Sequence, residues 1–154
     1  KQVTNRILEP FQWMHTVVTA TEWDNFFALR CHPDAQPEMQ VLAFAMRGAM
    51  DASAPGFTEH HFPYVREEDG VMPMWRRAMI SAARCARVSY LKHDGTAPSI
   101  GEDLALFERL AGGTPIHASP LEHQGLAMEH PRRRSRNFVG WWQFRELFEE
   151  RSMS

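Results

Sequence analysis

Between Thr19 and Gln40 the chain reads TATEWDNFFALRCHPDAQPEMQ, and this stretch limits the available folds more than any other. Thr21 is a candidate N-cap, with Asp24 three residues on as a capping-box partner. Trp23, Phe26, Phe27 and Arg30 follow at i, i+3, i+4 and i+7, the spacing of one helix face. His32, Pro33 and Asp34 interrupt the helix, because proline does not continue one and aspartate caps the next. Met39, Leu42, Ala43, Met46 and Met50 restart the period. The pattern predicts two helices joined by a tight turn, with an arginine ending an apolar stripe. Such an arginine either snorkels to water or is held beside the apolar surface for a ligand. The spacing alone leaves both open.

Around this hairpin the sequence predicts an α/β (α+β) fold, antiparallel strands packed with several helices, in one domain over 1–154. Phe11 to Thr19 alternates, dense in β-branched residues, and predicts a strand. Lys1 to Glu9 has helical spacing. Gly48 to Pro73 is rich in turn residues and predicts an irregular excursion over 51–73. Trp75 to Arg87 predicts a helix whose alanines let another backbone approach closely. Ser99-Ile100-Gly101-Glu102 is a capping box opening a helix that Gly112-Gly113 ends. Pro131 to Arg136 predicts a basic loop. Asn137 is read as the cap of a last helix carrying Phe138, Trp141, Trp142, Arg145 and Phe148 on one face.

The chain's 154 residues, 44% hydrophobic and 23% charged, suit a soluble globular domain. A net charge of −2 gives no global attraction to nucleic acid or membrane. Two cysteines make no disulfide framework and point to a reducing, cytoplasmic setting. No apolar run is long enough to span a membrane. Eight histidines invite a zinc reading, but none falls in a paired ligand spacing, so no metal site is predicted. Cys31 follows Arg30, yet no His and Asn pairing accompanies it as a nucleophile would need. Arg132 to Arg136, followed by Trp141 and Trp142, carries a weaker nucleic-acid-binding reading.

Three segments together resemble the flavin-dependent thymidylate synthases. Asn25-Phe26-Phe27-Ala28-Leu29-Arg30, then Ala35-Gln36-Pro37-Glu38-Met39, is similar to that family's Asn-Phe-Leu-x-Leu-Arg helix, turn and Ala-Gln-Trp-Glu-Ile. Arg6-Ile7-Leu8-Glu9-Pro10 resembles its Ala-Arg-x-x-Leu-Pro. Ala86-Arg87-Val88-Ser89-Tyr90 resembles Ala-Arg-Val-Ser-Tyr/Phe, and His117-Ala118-Ser119-Pro120-Leu121-Glu122-His123 resembles His-x-Ser/Thr-Pro-Phe-Glu-His. The order is that of a rearranged branch, with the last two motifs after the first. The family's Arg-His-Arg signature is absent. Phe144-Arg145-Glu146-Leu147 is a degenerate echo of it, and the equivalent segment is expected upstream of Lys1.

The resemblance implies methylation of deoxyuridylate (dUMP) to thymidylate (dTMP). Methylenetetrahydrofolate would be the carbon donor, FAD the hydride carrier and NADPH the reductant. It implies Arg30 as the catalytic and substrate-binding arginine and Arg6 as a second substrate-binding group. It implies flavin contacts from Thr19, Ala20, Thr21, Asn25 and Ser119, with His117 and Glu122 shaping the same cofactor site. It also implies a homotetramer with shared sites. The alternative it leaves is a partial or degenerate relative that binds nucleotide or flavin without turnover.

Overall fold

The computed structural model describes residues 7, 11, 13–88 and 96–152. Arg6, Ser89 and Tyr90, and most of the helix expected over 1–9, lie outside them. The architecture is mixed helix and small antiparallel sheet, as the pattern predicts at the level of class.

Helices α1 (Asp24–Arg30) and α2 (Pro37–Asp51) form the expected hairpin. Trp23, Phe26 and Phe27 pack on one another, with ring centroids 5.3–5.9 Å apart. The N-cap of α1 is Trp23, not Thr21, and no side chain caps it. Thr21 is used elsewhere: its hydroxyl oxygen accepts a hydrogen bond from the Val139 amide at 2.8 Å. Helix α2 runs through Gly48 to Asp51, further than the turn-rich composition suggests. A single mid-helix glycine costs only about 1 kcal/mol and does not end a helix.

The strand predicted over 11–19 is not formed by the described residues: 13–20 join no ladder. Trp13 is 98% exposed and Met14 72%. Alternation gives a segment two faces, but a strand also needs a neighbour for its amides, and no described segment supplies one. The excursion over 51–73 is irregular apart from β1 (His60–His61) and a 3-10 turn at Glu67–Asp69.

Helices α3 (Met74–Arg87) and α4 (Ile100–Ala111) follow the predicted spacing. The capping box is present. The Ser99 hydroxyl accepts from the Glu102 amide, and the Glu102 carboxylate accepts from the Ser99 amide at 2.8 Å. Ala78, Ala82 and Ala83 are buried, and with Phe107 and Ala111 of α4 they make the core. A 3-10 turn (Ser119–Glu122) adds Leu121 beneath it.

The chain's C-terminal part departs most from the sequence reading. Strand β2 (Gly125–Ala127) lies between β1 and β5 (Trp141–Gln143) in one antiparallel sheet. Strands β3 (Arg134–Ser135) and β4 (Phe138–Val139) form a hairpin, replacing the expected basic loop. Arg136 and Asn137 are its two-residue turn, so Asn137 caps no helix, and Arg136 takes φ 52°. Trp141 and Trp142 belong to β5 and are half-buried. The last helix, α5, begins only at Phe144 and runs to Ser152. Aromatic and β-branched residues serve either period, and pairing with β2 decides the outcome. Phe144 is fully buried against Trp75, Phe107 and Phe148.

Candidate functional site

The turn Thr19–Thr21 is fastened to the C-terminal part of the chain by side chains. Thr19 Oγ1 lies 3.3 Å from His123 Nδ1. The Trp23 indole N–H donates to the Ala20 carbonyl at 3.1 Å, which closes the turn. Thr21 holds Val139 of β4, and Glu22 pairs with Arg134 of β3 at 2.9 Å. The Thr19–Thr21 turn and the His117–His123 segment, both assigned flavin contacts by the resemblance, are therefore in direct contact.

In the second segment Pro120 and Leu121 are buried anchors, while His117 and Ser119 face solvent. The His117 amide donates to the Leu110 carbonyl at 2.9 Å, which ties the segment to the end of α4. His123 is half-buried. Burial lowers its imidazole pKa, Glu122 opposes that shift, and nearby His61 adds to it. The β1–β2 register explains the proximity: His61 pairs with Gly125, two residues after His123. Burial lowers the pKa of His61 too.

Glu122 is the end of an ionic ladder that no sequence period signals. It pairs with Arg145, which also reaches Glu149 at 2.8 Å, and Glu149 pairs with Arg136. Hydrogen bonds to Glu149 and then Glu122 raise the Arg145 pKa. The degenerate echo Phe144-Arg145-Glu146-Leu147 thus opens α5 with its arginine engaged by carboxylates. Its phenylalanine is core, and Glu146 accepts from the buried Ser135 hydroxyl. Arg145 follows strand β5, where the spacing predicts helix, and the strand turns it toward Glu122.

Arg30 and Asn25 are placed differently. Both are exposed on α1. Arg30 lies in the last turn, where the helix dipole favours a cation. Its guanidinium makes no hydrogen bond or ion pair among the described residues, so all its donors are available. No hydrogen bond or ion pair joins Arg30 to the His117–His123 segment among the described residues. Arg87, of the Ala86–Tyr90 motif, is a structural residue here: it pairs with buried Asp103 and donates to the Glu102 carbonyl at 2.9 Å.

Among the described residues no hydrogen bond joins Thr19 to His117 or Ser119, whose side chains are exposed, and the link between the two segments runs through His123. Cys85 is no candidate nucleophile, since burial pushes its thiol up to about 12 against opposing bonds from Ser81 and Gln124. Buried Gln124 and Gln143 each carry an Oε1 with no hydrogen-bond partner among the described residues. No group of three or more His, Cys, Asp or Glu among the described residues could hold a metal ion. No described helix is long and apolar enough to cross a membrane. No protein-family model, curated protein or solved structure matches the chain.

Proposed function

We propose that the chain belongs to a flavin-dependent enzyme that methylates dUMP to dTMP. The observation that carries this reading is the Thr19–His123 contact. It joins two segments 104 residues apart in sequence: His117–His123, which resembles a flavin-contacting segment of those synthases, and Thr19–Thr21, which stands where they have an Asn-Ala-Arg flavin turn. When bound, FAD supplies hydride transfer, with NADPH as reductant and methylenetetrahydrofolate as carbon donor.

The chain's own residues then have distinct tasks. Ser119, Thr19, the Ala20–Thr21 turn and Asn25 hold the cofactor through neutral hydrogen bonds, and His117 and Glu122 shape its surroundings. Arg6 binds the substrate phosphate by charge-assisted hydrogen bonds. Arg30 presents its planar fork to the uracil amide edge, where negative charge develops, and it stays cationic throughout.

The exposure of Arg30 is in keeping with a site completed by another subunit. Leu29, Val41, Leu42 and Phe44 on the same hairpin are also more than half exposed. Exposed apolar residues clustered in this way mark interaction surfaces. A homotetramer with shared sites would cover them.

The second reading, a flavin- or nucleotide-binding module without turnover, is favoured by Arg145. In the echo of the missing signature the arginine is committed to Glu122 and Glu149 rather than open to a substrate. The nucleic-acid reading gains nothing comparable, because Arg134 and Arg136 of the basic run are paired with Glu22 and Glu149.

The test is dTMP formation from dUMP with methylenetetrahydrofolate, FAD and NADPH. Arg30→Ala and Arg30→Lys should both abolish turnover with the circular dichroism spectrum unchanged, since an ammonium lacks two parallel donors. Flavin retention without turnover would select the second reading. A folded chain with neither property would overturn both.

A further inference from the structure

The basic run that the proposed function leaves unused borders a cleft of about 430 Å³, lined by Ala127, Met128, Glu129, His130, Arg133 and Trp142. That volume lies within the usual range for small-molecule sites, roughly 300–1,000 Å³. The wall is a loop held in shape by the backbone. The Met128 amide donates to the Gly140 carbonyl at 2.9 Å, the Gly140 amide to the Arg133 carbonyl at 2.8 Å, and the Arg133 amide to the His130 carbonyl at 3.0 Å. Gly140 is required for this closure. Its φ is +75°, and a Cβ there would sit 2.8 Å from the Pro131 carbonyl oxygen.

The Arg133 guanidinium lies over the Trp142 ring, 4.6 Å from its centroid. Stacking fixes the plane of the fork and leaves its N–H edge open. No carboxylate takes that edge among the described residues, in contrast to Arg134 and Arg136 beside it. His130 adds an imidazole to the same wall, and Glu129 adds an acceptor-only carboxylate. A bare polyanion would be repelled by Glu129. A ligand carrying one phosphate on a hydroxyl-bearing body satisfies all three groups.

We propose that this cleft binds a small phosphomonoester. Arg133 and His130 grip the phosphate, and Glu129 accepts hydrogen bonds from the ligand's hydroxyls. Arg30 is not among the described residues that line the cleft, and the proposal does not rest on the dUMP reading.

Isothermal titration calorimetry at fixed ionic strength, with inorganic phosphate and ribose 5-phosphate as probes, tests it. Both should bind at one site, ribose 5-phosphate about tenfold tighter. Arg133→Gln should weaken both at least tenfold, and Arg133→Lys, which keeps the charge but loses the stacked, planar fork, should also weaken both. Glu129→Gln should separate the probes, tightening inorganic phosphate and weakening the sugar phosphate. Circular dichroism confirms that each variant is folded. The proposal is overturned if Arg133 variants bind as the parent does, if neither probe saturates, or if only inorganic phosphate binds.

Discussion

The arginines of the α3–α4 core and the arginine of the α1–α2 hairpin have opposite surroundings. Arg84 donates to both oxygens of Asp69 at 2.6–2.7 Å and to Asp103 at 2.8 Å, and Arg87 closes on the other oxygen of Asp103. Asp103 is completely buried. The hydrogen bond from Arg84 pulls the Asp69 pKa down, and the same bond raises that of Arg84. Four of the five Arg84 N–H donors are taken, one of them by the Tyr64 carbonyl, and Arg87 is held by Asp103 and the Glu102 carbonyl. Arg30 has all of its capacity left. Helix α1 buries no residue, and α2 buries only Ala43. An arginine at the end of an apolar stripe therefore has a meaning set by what the partner elements bring. Carboxylates make it structural, and open solvent leaves it available for chemistry.

This contrast should appear first in stability. Phe144→Ala in the core should cost about 4 kcal/mol, while Leu42→Ala, 53% exposed on the hairpin, should cost under about 1 kcal/mol. Urea unfolding of the two variants measures the difference, and equal losses would mean the hairpin is as tightly packed as the core. Asp103→Ala should cost about 3 kcal/mol, because it leaves two arginines beside an emptied site. A loss below about 1 kcal/mol would show that the arginines find water instead.

A smaller effect should be seen at the seam between the regions. His61 and His123 have imidazole pKa values lowered by burial, so the folded state favours their neutral forms. Their contribution is complete above the unfolded value of about 6.5 and is lost as pH falls through the folded values. The unfolding free energy read from urea titrations should therefore fall on acidification below about pH 6.5. His123→Gln should remove its share of that dependence. Smallest of all, Arg30→Ala should change unfolding free energy by no more than about 0.5 kcal/mol. A larger loss would make Arg30 a structural residue like Arg84.

Helices α3 and α4 were legible in the sequence because their signals are local. The alanine period of Ala78, Ala82 and Ala83 and the Ser99–Glu102 box need no distant partner to be read. Residues 134–143 were not legible. Phe138, Trp141 and Trp142 sit at helical spacing and also suit strands, and only β2 alongside decides between the two. The alternation of 11–19 misled for the converse reason, since it describes faces and says nothing of a neighbour. Within the candidate site, Thr19–Thr21 and His117–His123 could be named from the resemblance, but their contact through His123 could not. The ladder Glu122–Arg145–Glu149–Arg136 joins three separate elements, and no spacing records it.

If Thr19–Thr21 and His117–His123 form part of a flavin site, the visible spectrum of the chain after incubation with FAD and desalting should keep a flavin band, diminished by Ser119→Ala and by Thr19→Ala. A folded chain that keeps no flavin, or keeps it equally in those variants, would contradict that reading.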